Sequence, residues 1–332
     1  MTRILLAVLM LAVSFTMARA EAPVCTGTDL MALLKASDPA TYEAVMADAR
    51  AEANSESLFW KVERDGTEPS FLLGTAHVTD PRVTELSPQT KNALWGARIV
   101  ALELAELGNH QKLMLASMKA APLMVLPPGQ SLWDLVPDED EAAIRENVNL
   151  PAGAVNTLFG YQPWVVAGML SVPLCELQRK GQGLAILDSQ IAKIAEEMGT
   201  PLVGLETVEE QLSVFANMPL DLQAKYLVAV AKLGHRIHDF FETLVSLYEQ
   251  RMVTAYMPLI LRTEKQTPED AAMYAFVEED LLRKRNHRMA ERSLPLLKEG
   301  NAFIAVGALH LPGAEGVVEL LRKAGYKLTP LN

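Results

Sequence analysis

The chain has 332 residues, of which 50% are hydrophobic and 21% charged, with a formal net charge of -11 at pH 7. This balance excludes a disordered or collagen-like chain, and the length allows one large domain or two ordinary ones. The acidic excess argues against a nucleic-acid partner, and two cysteines are too few for a disulfide scaffold or an all-cysteine zinc site.

The first twenty residues have the order of a secretory signal peptide. Arg3 supplies a basic start, residues 4–15 are almost wholly apolar, and small residues precede an expected cleavage after Ala20. We therefore expect an exported protein, periplasmic or extracellular, whose mature chain has no membrane span. An uncleaved anchor is the alternative, but the apolar run is shorter than a bilayer requires.

The expected export bears on the chemical state of the two cysteines, Cys25 and Cys175. In an oxidising compartment a lone pair of cysteines most simply forms one disulfide, which here would tie the mature N-terminus to the body of the protein. Two buried free thiols are the alternative. The spacing excludes a redox Cys-x-x-Cys role.

The mature chain begins with a helical pattern and continues with a hairpin. Apolar spacing predicts helix over 26–54, and strands are predicted at 58–63 and 70–74 around a turn that contains Gly66. A further helical pattern leads to Trp95.

Beyond Trp95, short apolar runs alternate with long helical stretches. Nearly continuous apolar runs predict buried strands at 98–104, 201–206, 302–307 and 326–329. The stretches near 110–180 and 207–299 are predicted to be helical insertions. We therefore expect an α/β fold with a mixed or mostly parallel central sheet, flanking helices and a single domain over 21–332.

Four of the predicted strands deliver a titratable side chain at the carboxyl end: His77, Glu103, Glu206 and His310. If these strands are parallel, the four side chains lie on one rim of the sheet, where open α/β sheets bind their ligands. Each histidine stands three residues after a glycine, and glycine permits the tight geometry that a strand needs beside a ligand.

Imidazole and carboxylate groups on one rim support two kinds of hydrolysis. They are suitable ligands for Zn, Mn, Fe or Co, with a position left open for an activated water. Alternatively, one histidine acts as general base on water while a carboxylate orients it, without a metal. Taken singly, each residue has a structural explanation, and only the combination favours a site.

These residues also resemble the TraB/GumN family, which is related to the Tiki proteases of animals. The motifs that carry the resemblance are Gly74-Thr75-Ala76-His77-Val78, Asp80-Pro81-Arg82, Val100-Ala101-Leu102-Glu103-Leu104, Gly204-Leu205-Glu206-Thr207, Arg285-Asn286 and Gly307-Ala308-Leu309-His310-Leu311-Pro312-Gly313. The resemblance implies an α/β core with helical additions, as in ChaN-type folds, and a metal-dependent peptidase or hydrolase activity. Erythromycin-esterase relatives act without a metal, so the resemblance leaves the metal open.

The resemblance also implies roles for single residues. The paired GxxH signature falls on His77 and His310, the strand-end acids are Glu103 and Glu206, and the late Arg-Asn pair is Arg285 and Asn286. Composition alone favours a solvated face for the basic run around Arg285, whereas the resemblance favours binding of a carbonyl or carboxylate oxygen.

Two other features keep alternative interpretations. Asp188 follows an apolar run and either supports the site from behind or caps the helix that begins near Ser189. His235 and His238 stand three apart on an apolar helix and are interpreted as helix core or surface.

The sequence thus predicts an exported hydrolase, most simply a metal-dependent peptidase acting on a peptide or a small ester or amide. The predicted site consists of catalytic or metal-binding His77, His310, Glu103 and Glu206, an oxyanion-stabilising Arg285, and supporting Asp188 and Asn286. The cofactor would be a divalent Mn, Co, Zn or Fe ion. The alternatives are a metal- or haem-binding protein without catalysis, a metal-independent histidine esterase, and a catalytically silent interaction protein. The sequence has no HExxH, P-loop, strand-linked GxGxxG or GxSxG motif, which argues against nucleotide-dependent and serine-hydrolase functions.

Overall fold

The computed structural model of the chain describes residues 22–148, 155–264 and 268–331. The predicted signal peptide over 1–20 lies outside these residues and stays a prediction. In the described ranges, no helix combines the length and apolar character needed to cross a membrane.

A six-stranded sheet forms the centre of the fold, in the order β4-β3-β5-β2-β1-β6. Its strands are β1 (Phe59–Glu63), β2 (Ser70–Thr75), β3 (Ile99–Leu102), β4 (Leu202–Gly204), β5 (Ala302–Gly307) and β6 (Lys327–Leu331). Strands β4, β3, β5 and β2 run parallel, whereas β1 is antiparallel to both β2 and β6. The prediction of an α/β fold with a mixed, mostly parallel sheet is confirmed.

The register of the sheet brings the carboxyl ends of the parallel strands to one level. Thr75 on β2 pairs with Gly307 on β5, while Leu102 on β3 pairs with Ala305 on β5 and with Gly204 on β4. Backbone pairing continues past β3 and β4. The four strands that precede the predicted site residues therefore end on the same rim, as expected from the sequence.

The sheet is buried on both faces because its central strands are apolar at consecutive positions. On β5, Phe303 packs into the hydrophobic cluster of one face and Ile304 into that of the other, and neither has exposed surface. This is the pattern of a strand covered by helices on both sides.

Helices make up most of the remaining described chain, joined by loops and short 3₁₀ turns. The first half contains Leu30–Ser37, Pro39–Ala51, Pro81–Thr84, Pro88–Trp95, His110–Ala120, Asp138–Asn147, Pro163–Leu170, Leu174–Gly181 and Leu187–Met198. The second half contains Val208–Ala216, Leu220–Leu233, Ile237–Glu249, Tyr256–Thr263, Pro268–Phe276, Lys284–Glu299 and Val317–Lys323, with a π-helical segment at Val277–Arg283. The helices thus include the two stretches predicted as insertions.

The prediction of one continuous helix over 26–54 is wrong. The stretch 26–54 forms two helices separated at Asp38, which lies outside the helical region of backbone angles (φ -144°, ψ 77°). Pro39 disfavours a helical conformation for the residue before it, and the Asp38 side chain accepts the Thr41 N–H to start the second helix.

The predicted disulfide between Cys25 and Cys175 is present. It joins the extended N-terminal segment to the helix Leu174–Gly181 across 150 positions of sequence. A link over so long a loop removes many conformations from the unfolded chain and stabilises the fold accordingly.

Candidate active site

His77 lies in the loop that follows β2, and its ring is held by an aspartate. The His77 Nδ1 atom is 3.0 Å from Oδ2 of Asp188, whose other oxygen accepts the Thr75 hydroxyl at 2.8 Å. Asp188 is fully buried, whereas 54% of the His77 side chain is exposed. Because a carboxylate oxygen accepts, Nδ1 donates, and the lone pair of the neutral ring is on Nε2.

His310 ends a short 3₁₀ turn, Ala308–His310, directly after β5. Its Nδ1 atom is 2.6 Å from Oδ1 of Asn286, and the Asn286 amide nitrogen donates to the backbone oxygen of Glu315 at 2.9 Å. That carbonyl can only accept, so the amide nitrogen faces it and the amide oxygen faces His310. His310 therefore donates from Nδ1, and its Nε2 also has the lone pair.

Glycine at the third position before each histidine has a steric reason. A Cβ atom on Gly74 would come within 2.8 Å of the Leu311 side chain and 3.0 Å of the Ala308 backbone. A Cβ atom on Gly307 would meet Glu103 Oε1 at 3.2 Å and the His310 ring at 3.3 Å. The two GxxH segments can therefore approach each other and Glu103 because both lack a side chain there.

Glu103 follows β3 and lies between the His310 ring and a guanidinium group. Its Oε1 atom accepts the Gly307 N–H at 2.6 Å and is 3.8 Å from Nε2 of His310. Its Oε2 atom accepts from Arg285 Nη2 at 2.7 Å and from Gln211 at 2.9 Å. The carboxylate is buried, and one of its oxygens is directed toward the imidazole.

Glu206 occupies a different environment, although its backbone N–H donates to the Glu103 carbonyl at 2.8 Å. Arg285 binds it through Nε at 3.0 Å and Nη2 at 2.7 Å, and Arg288 binds its other oxygen at 2.9 Å. The helix Val208–Ala216 begins immediately afterwards with a capping box between Thr207 and Glu210. Both oxygens of Glu206 are therefore bound by arginines.

Arg285 lies in the site, but the role predicted for it does not match its contacts. It is buried on the helix Lys284–Glu299, which excludes the solvated-face interpretation for this residue. Its Nε and Nη2 atoms bind Glu206 and Glu103, and its Nη1 atom faces the Leu281 carbonyl at 3.4 Å. The guanidinium thus holds the two carboxylates side by side instead of facing open space as an oxyanion would require.

The two supporting residues have defined positions. Asp188 is the second residue of the helix Leu187–Met198, whose N-cap is Ile186, so its side chain binds Thr75 and His77 instead of capping the helix. Asn286 follows Arg285 on the same helix and contacts His310. Each of the two residues thus contacts one imidazole, and their supporting roles stay predictions.

Several contacts in the site were not predicted from the sequence. Gln211 donates to both Glu103 and Glu206, and Tyr248 donates from its hydroxyl to the Gly74 carbonyl at 2.8 Å. Arg288 lies three positions after Arg285 on one helix, a spacing that places both on one face and was visible in the sequence. Gln211 and Tyr248 have no such signal, since only the fold brings them here.

His235 and His238, which were predicted to lie on a helix, lie outside the rim. His235 and His238 are on the adjoining segments Gly234–Arg236 and Ile237–Glu249, where they line a cavity of about 370 Å³ with Thr26 and Asp239. The prediction of a helical setting for this pair is confirmed.

The surroundings of the two site histidines shift their pKa values in opposite directions. Burial lowers the pKa of His310 to about 4 despite the nearby charge of Glu103. At His77 partial desolvation is outweighed by the hydrogen bond and charge of Asp188, and the pKa is raised. Burial opposes ionisation of Glu103, but His310, Arg285 and His77 lower its pKa to about 2. At neutral pH the rim therefore contains an uncharged His310 beside an ionised Glu103.

The predicted four-ligand metal set fits the structure only in part. Metal-ligand bonds of about 2.0–2.2 Å place two tetrahedral ligands roughly 3.4 Å apart, so the separation of 3.8 Å between His310 and Glu103 is close to that of shared ligands. His77 offers a second imidazole, and so a third ligand, with its Nδ1 held as in metal sites. Glu206 does not fit, because arginines bind both its oxygens. Among the residues that the structure describes, no three His, Cys, Asp or Glu side chains form a ready metal-binding group.

Comparisons with known proteins relate the chain to one family. The model of the TraB/PrgY/gumN family matches residues 58–330. Metalloprotease TIKI1 of Danio rerio is 28% identical over 83% of this chain and 63% of its own length, and Metalloprotease TIKI1 of Homo sapiens is 25% identical over 87% of this chain and 64% of its own. Uncharacterized protein YbaP of Shigella flexneri is 23% identical over 77% of this chain and 89% of its own length.

The chain spans less than two thirds of the length of these Tiki relatives. No solved structure gives a significant match. The family match includes all six strands of the sheet except the last residue of β6, as well as both GxxH segments and the arginine between the two glutamates. The chain therefore belongs to the TraB/PrgY/gumN family.

Proposed function

We propose that this protein is an exported hydrolase, peptidase-like, that activates water at the rim formed by His77, Glu103 and His310. The observation that carries the proposal is the pair of imidazoles, each fixed through Nδ1 with its Nε2 lone pair available, one of them 3.8 Å from an ionised carboxylate. The relatives named as metalloproteases support a metal-dependent peptidase of this kind.

The proposed division of labour follows from the surroundings of each group. His310 and Glu103 are buried and face each other, so they are suited to bind and orient a water molecule or the ion that polarises it. A divalent ion held by His310, Glu103 and His77 would supply Lewis acidity and lower the pKa of that water. The ion would be Mn, Co, Zn or Fe, which nitrogen and oxygen ligands accept.

His77 is suited to proton transfer, because its ring is exposed at the rim and paired with Asp188. In a site where the ion is held by His310 and Glu103 without His77, Nε2 of His77 can accept a proton from the attacking water and pass it to the leaving nitrogen or oxygen of a peptide, amide or small ester. The Asp188–His77 pair also favours a second candidate, a metal-independent hydrolase in which His77 is the general base. The proposed metal set omits Glu206, and the proposed role of Arg285 is to hold Glu103.

Export is part of the proposal and rests on the disulfide. Cys25 and Cys175 form a bond that is typical of oxidising compartments. This agrees with the predicted signal peptide over 1–20. Cell fractionation with cleavage after Ala20 mapped by mass spectrometry tests it, and intact residues 1–20 on a cytoplasmic protein would contradict it.

The function itself is tested by peptide hydrolysis and elemental analysis on natively purified protein. The variants are His77→Ala and His310→Ala, alone and together, with His110→Ala as the matched control because His110 is exposed at the start of the helix His110–Ala120. We expect peptide hydrolysis with a stoichiometric divalent metal, and loss of both in the double variant. The control should retain both.

Other outcomes select the alternatives. Hydrolysis without metal, lost in His77→Ala, supports the metal-independent candidate. Bound metal or haem without turnover of peptides, amides or esters contradicts the hydrolase and supports a binding protein.

A further inference from the structure

The loop that carries His77 is fixed by a helix outside the rim. Thr79, two residues after His77, donates its backbone N–H to Glu176 Oε1 at 2.8 Å and its hydroxyl to Glu176 Oε2 at 2.7 Å. Both oxygens of this carboxylate are therefore engaged by one loop residue. Glu176 and Thr79 are buried. If the loop moved away, the buried carboxylate would lose both of these donors, and because that costs free energy, the contact holds the loop in place.

A second contact from the same helix holds the next loop residue. Arg179, one turn after Glu176, places Nη1 3.3 Å from Oδ2 of Asp80, and both groups are buried. Asp80 also binds Arg82, which in turn binds Glu242. The loop thus has one anchor on the helix Leu174–Gly181 and an independent one toward the helix Ile237–Glu249.

The helix Leu174–Gly181 is itself tied to the N-terminal segment. Cys175, the residue before Glu176, forms the disulfide with Cys25, and Arg179 Nε donates to the Pro23 carbonyl at 2.7 Å. A few residues farther along the chain, Asp188 holds the His77 ring. Both supports of His77 therefore come from one stretch of chain, 175–188, whose start is fixed by the disulfide.

We propose that Glu176 and Arg179 are positioning residues for His77, and that the Cys25–Cys175 disulfide keeps their helix in place. The inference rests on the proposed function in one respect, that His77 acts in the hydrolysis. Loss of either positioning contact then lowers kcat by displacing His77, with little effect on binding of the substrate by other parts of the rim. Reduction of the disulfide should also lower kcat. The decrease should be smaller, because the second anchor through Arg82 still holds the loop.

The first test compares Glu176→Gln with Glu176→Leu in the oxidised, full-length protein. Glutamine keeps an oxygen for the Thr79 N–H and an NH₂ group that can donate to the Thr79 hydroxyl, whereas leucine keeps neither. Hydrogen exchange of peptides covering 76–80 should rise at least about tenfold in Glu176→Leu and much less in Glu176→Gln. The kcat should fall about tenfold or more in Glu176→Leu with KM within about twofold.

The second test compares the oxidised protein with the reduced protein and with a Cys25→Ser/Cys175→Ser double variant. Exchange over 76–80 should rise in both, while exchange in β5 stays slow because the sheet is intact. Arg262→Gln is the matched control, since it removes an exposed ion pair with Asp48 from the N-terminal helices without touching the loop.

Because hydrogen exchange needs no turnover, this inference can fail separately from the proposed function. Unchanged exchange over 76–80 in Glu176→Leu overturns the inference even if hydrolysis is observed. Raised exchange over 76–80 with unchanged kcat also overturns it. Exchange that rises equally in β5 shows a general loss of structure and overturns the positioning role as well.

Discussion

His77 and His310 each follow a glycine by three positions, yet the fold gives them opposite surroundings. The His77 side chain is 54% exposed and its Nδ1 atom binds a carboxylate, whereas the His310 side chain is 6% exposed and its Nδ1 atom binds a neutral amide. The charged partner raises the pKa of His77, and burial lowers that of His310 to about 4.

The same GxxH motif thus holds its imidazole in two different electrostatic environments. In both cases a hydrogen bond from Nδ1 fixes the ring and leaves the lone pair on Nε2. Groups whose environments move their pKa values apart are the usual basis of acid and base assignments. His310 is therefore suited to remain neutral as a ligand or acceptor, and His77 to gain and lose a proton.

The largest expected effect is on turnover at the two histidines. If the proposed hydrolase activity is present, His310→Ala should lower kcat by about 10³-fold or more and His77→Ala by about 10²-fold, within the range for catalytic proton transfer. The buried histidine has the larger effect because its loss also leaves Glu103 without its neighbour. Steady-state kinetics on folded variants measure this, and a larger loss in His77→Ala would reverse the assignment.

The next effect is on stability and concerns the buried ion cluster formed by Arg285, Glu103 and Glu206. Arg285→Leu leaves the buried Glu103 and Glu206 without their shared partner and should lower the unfolding free energy by about 3–5 kcal/mol. Arg283→Leu is the matched control, since its pairing with Glu279 is exposed and its loss should change the unfolding free energy far less. Urea unfolding of both variants measures the two losses of unfolding free energy. Similar losses would show that the buried cluster contributes little to stability.

The depressed pKa of His310 predicts a pH dependence of stability with a definite sign. Between its folded value of about 4 and its unfolded value near 6.5, the unfolded chain binds a proton that the folded chain does not. Stability therefore falls as pH drops through this window, by up to roughly 1.4 kcal/mol per pH unit from His310 alone. Urea unfolding at pH 5 and pH 7 should show a steeper fall in the wild type than in His310→Gln, and equal slopes would contradict the assignment.

The smallest effect follows from exchanging the two partners. Asp188→Asn should lower the pKa of His77 by removing the carboxylate, and Asn286→Asp should raise the pKa of His310 by adding one. Histidine NMR titration measures both changes, with His110 as an internal reference. If the pKa values keep their wild-type order and spacing, the partners do not account for the difference between the two histidines.

The local periodicity of the sequence determined the central architecture. Short apolar runs predicted four of the six strands and a hairpin pattern predicted the other two. Buried runs such as Ala302–Gly307 can be recognised in the sequence because a strand covered on both faces has no polar positions. The same runs indicated which side chains follow the strand ends, so the positions of Glu103 and His310 on one rim were predicted without tertiary information. The break at Asp38 was also present in the sequence as the residue before a proline, although the helical spacing concealed it.

The tertiary structure decided what these residues contact. The motif predicted Arg285 at the site, but only the fold shows that its Nε and Nη2 atoms bind the two glutamates, which leaves neither atom free for the predicted oxyanion. Gln211 and Glu176 make contacts across large separations in sequence. Local spacing determines which face of an element a side chain occupies, whereas its partners, and therefore its charge state, depend on the packing of elements that are distant in the chain.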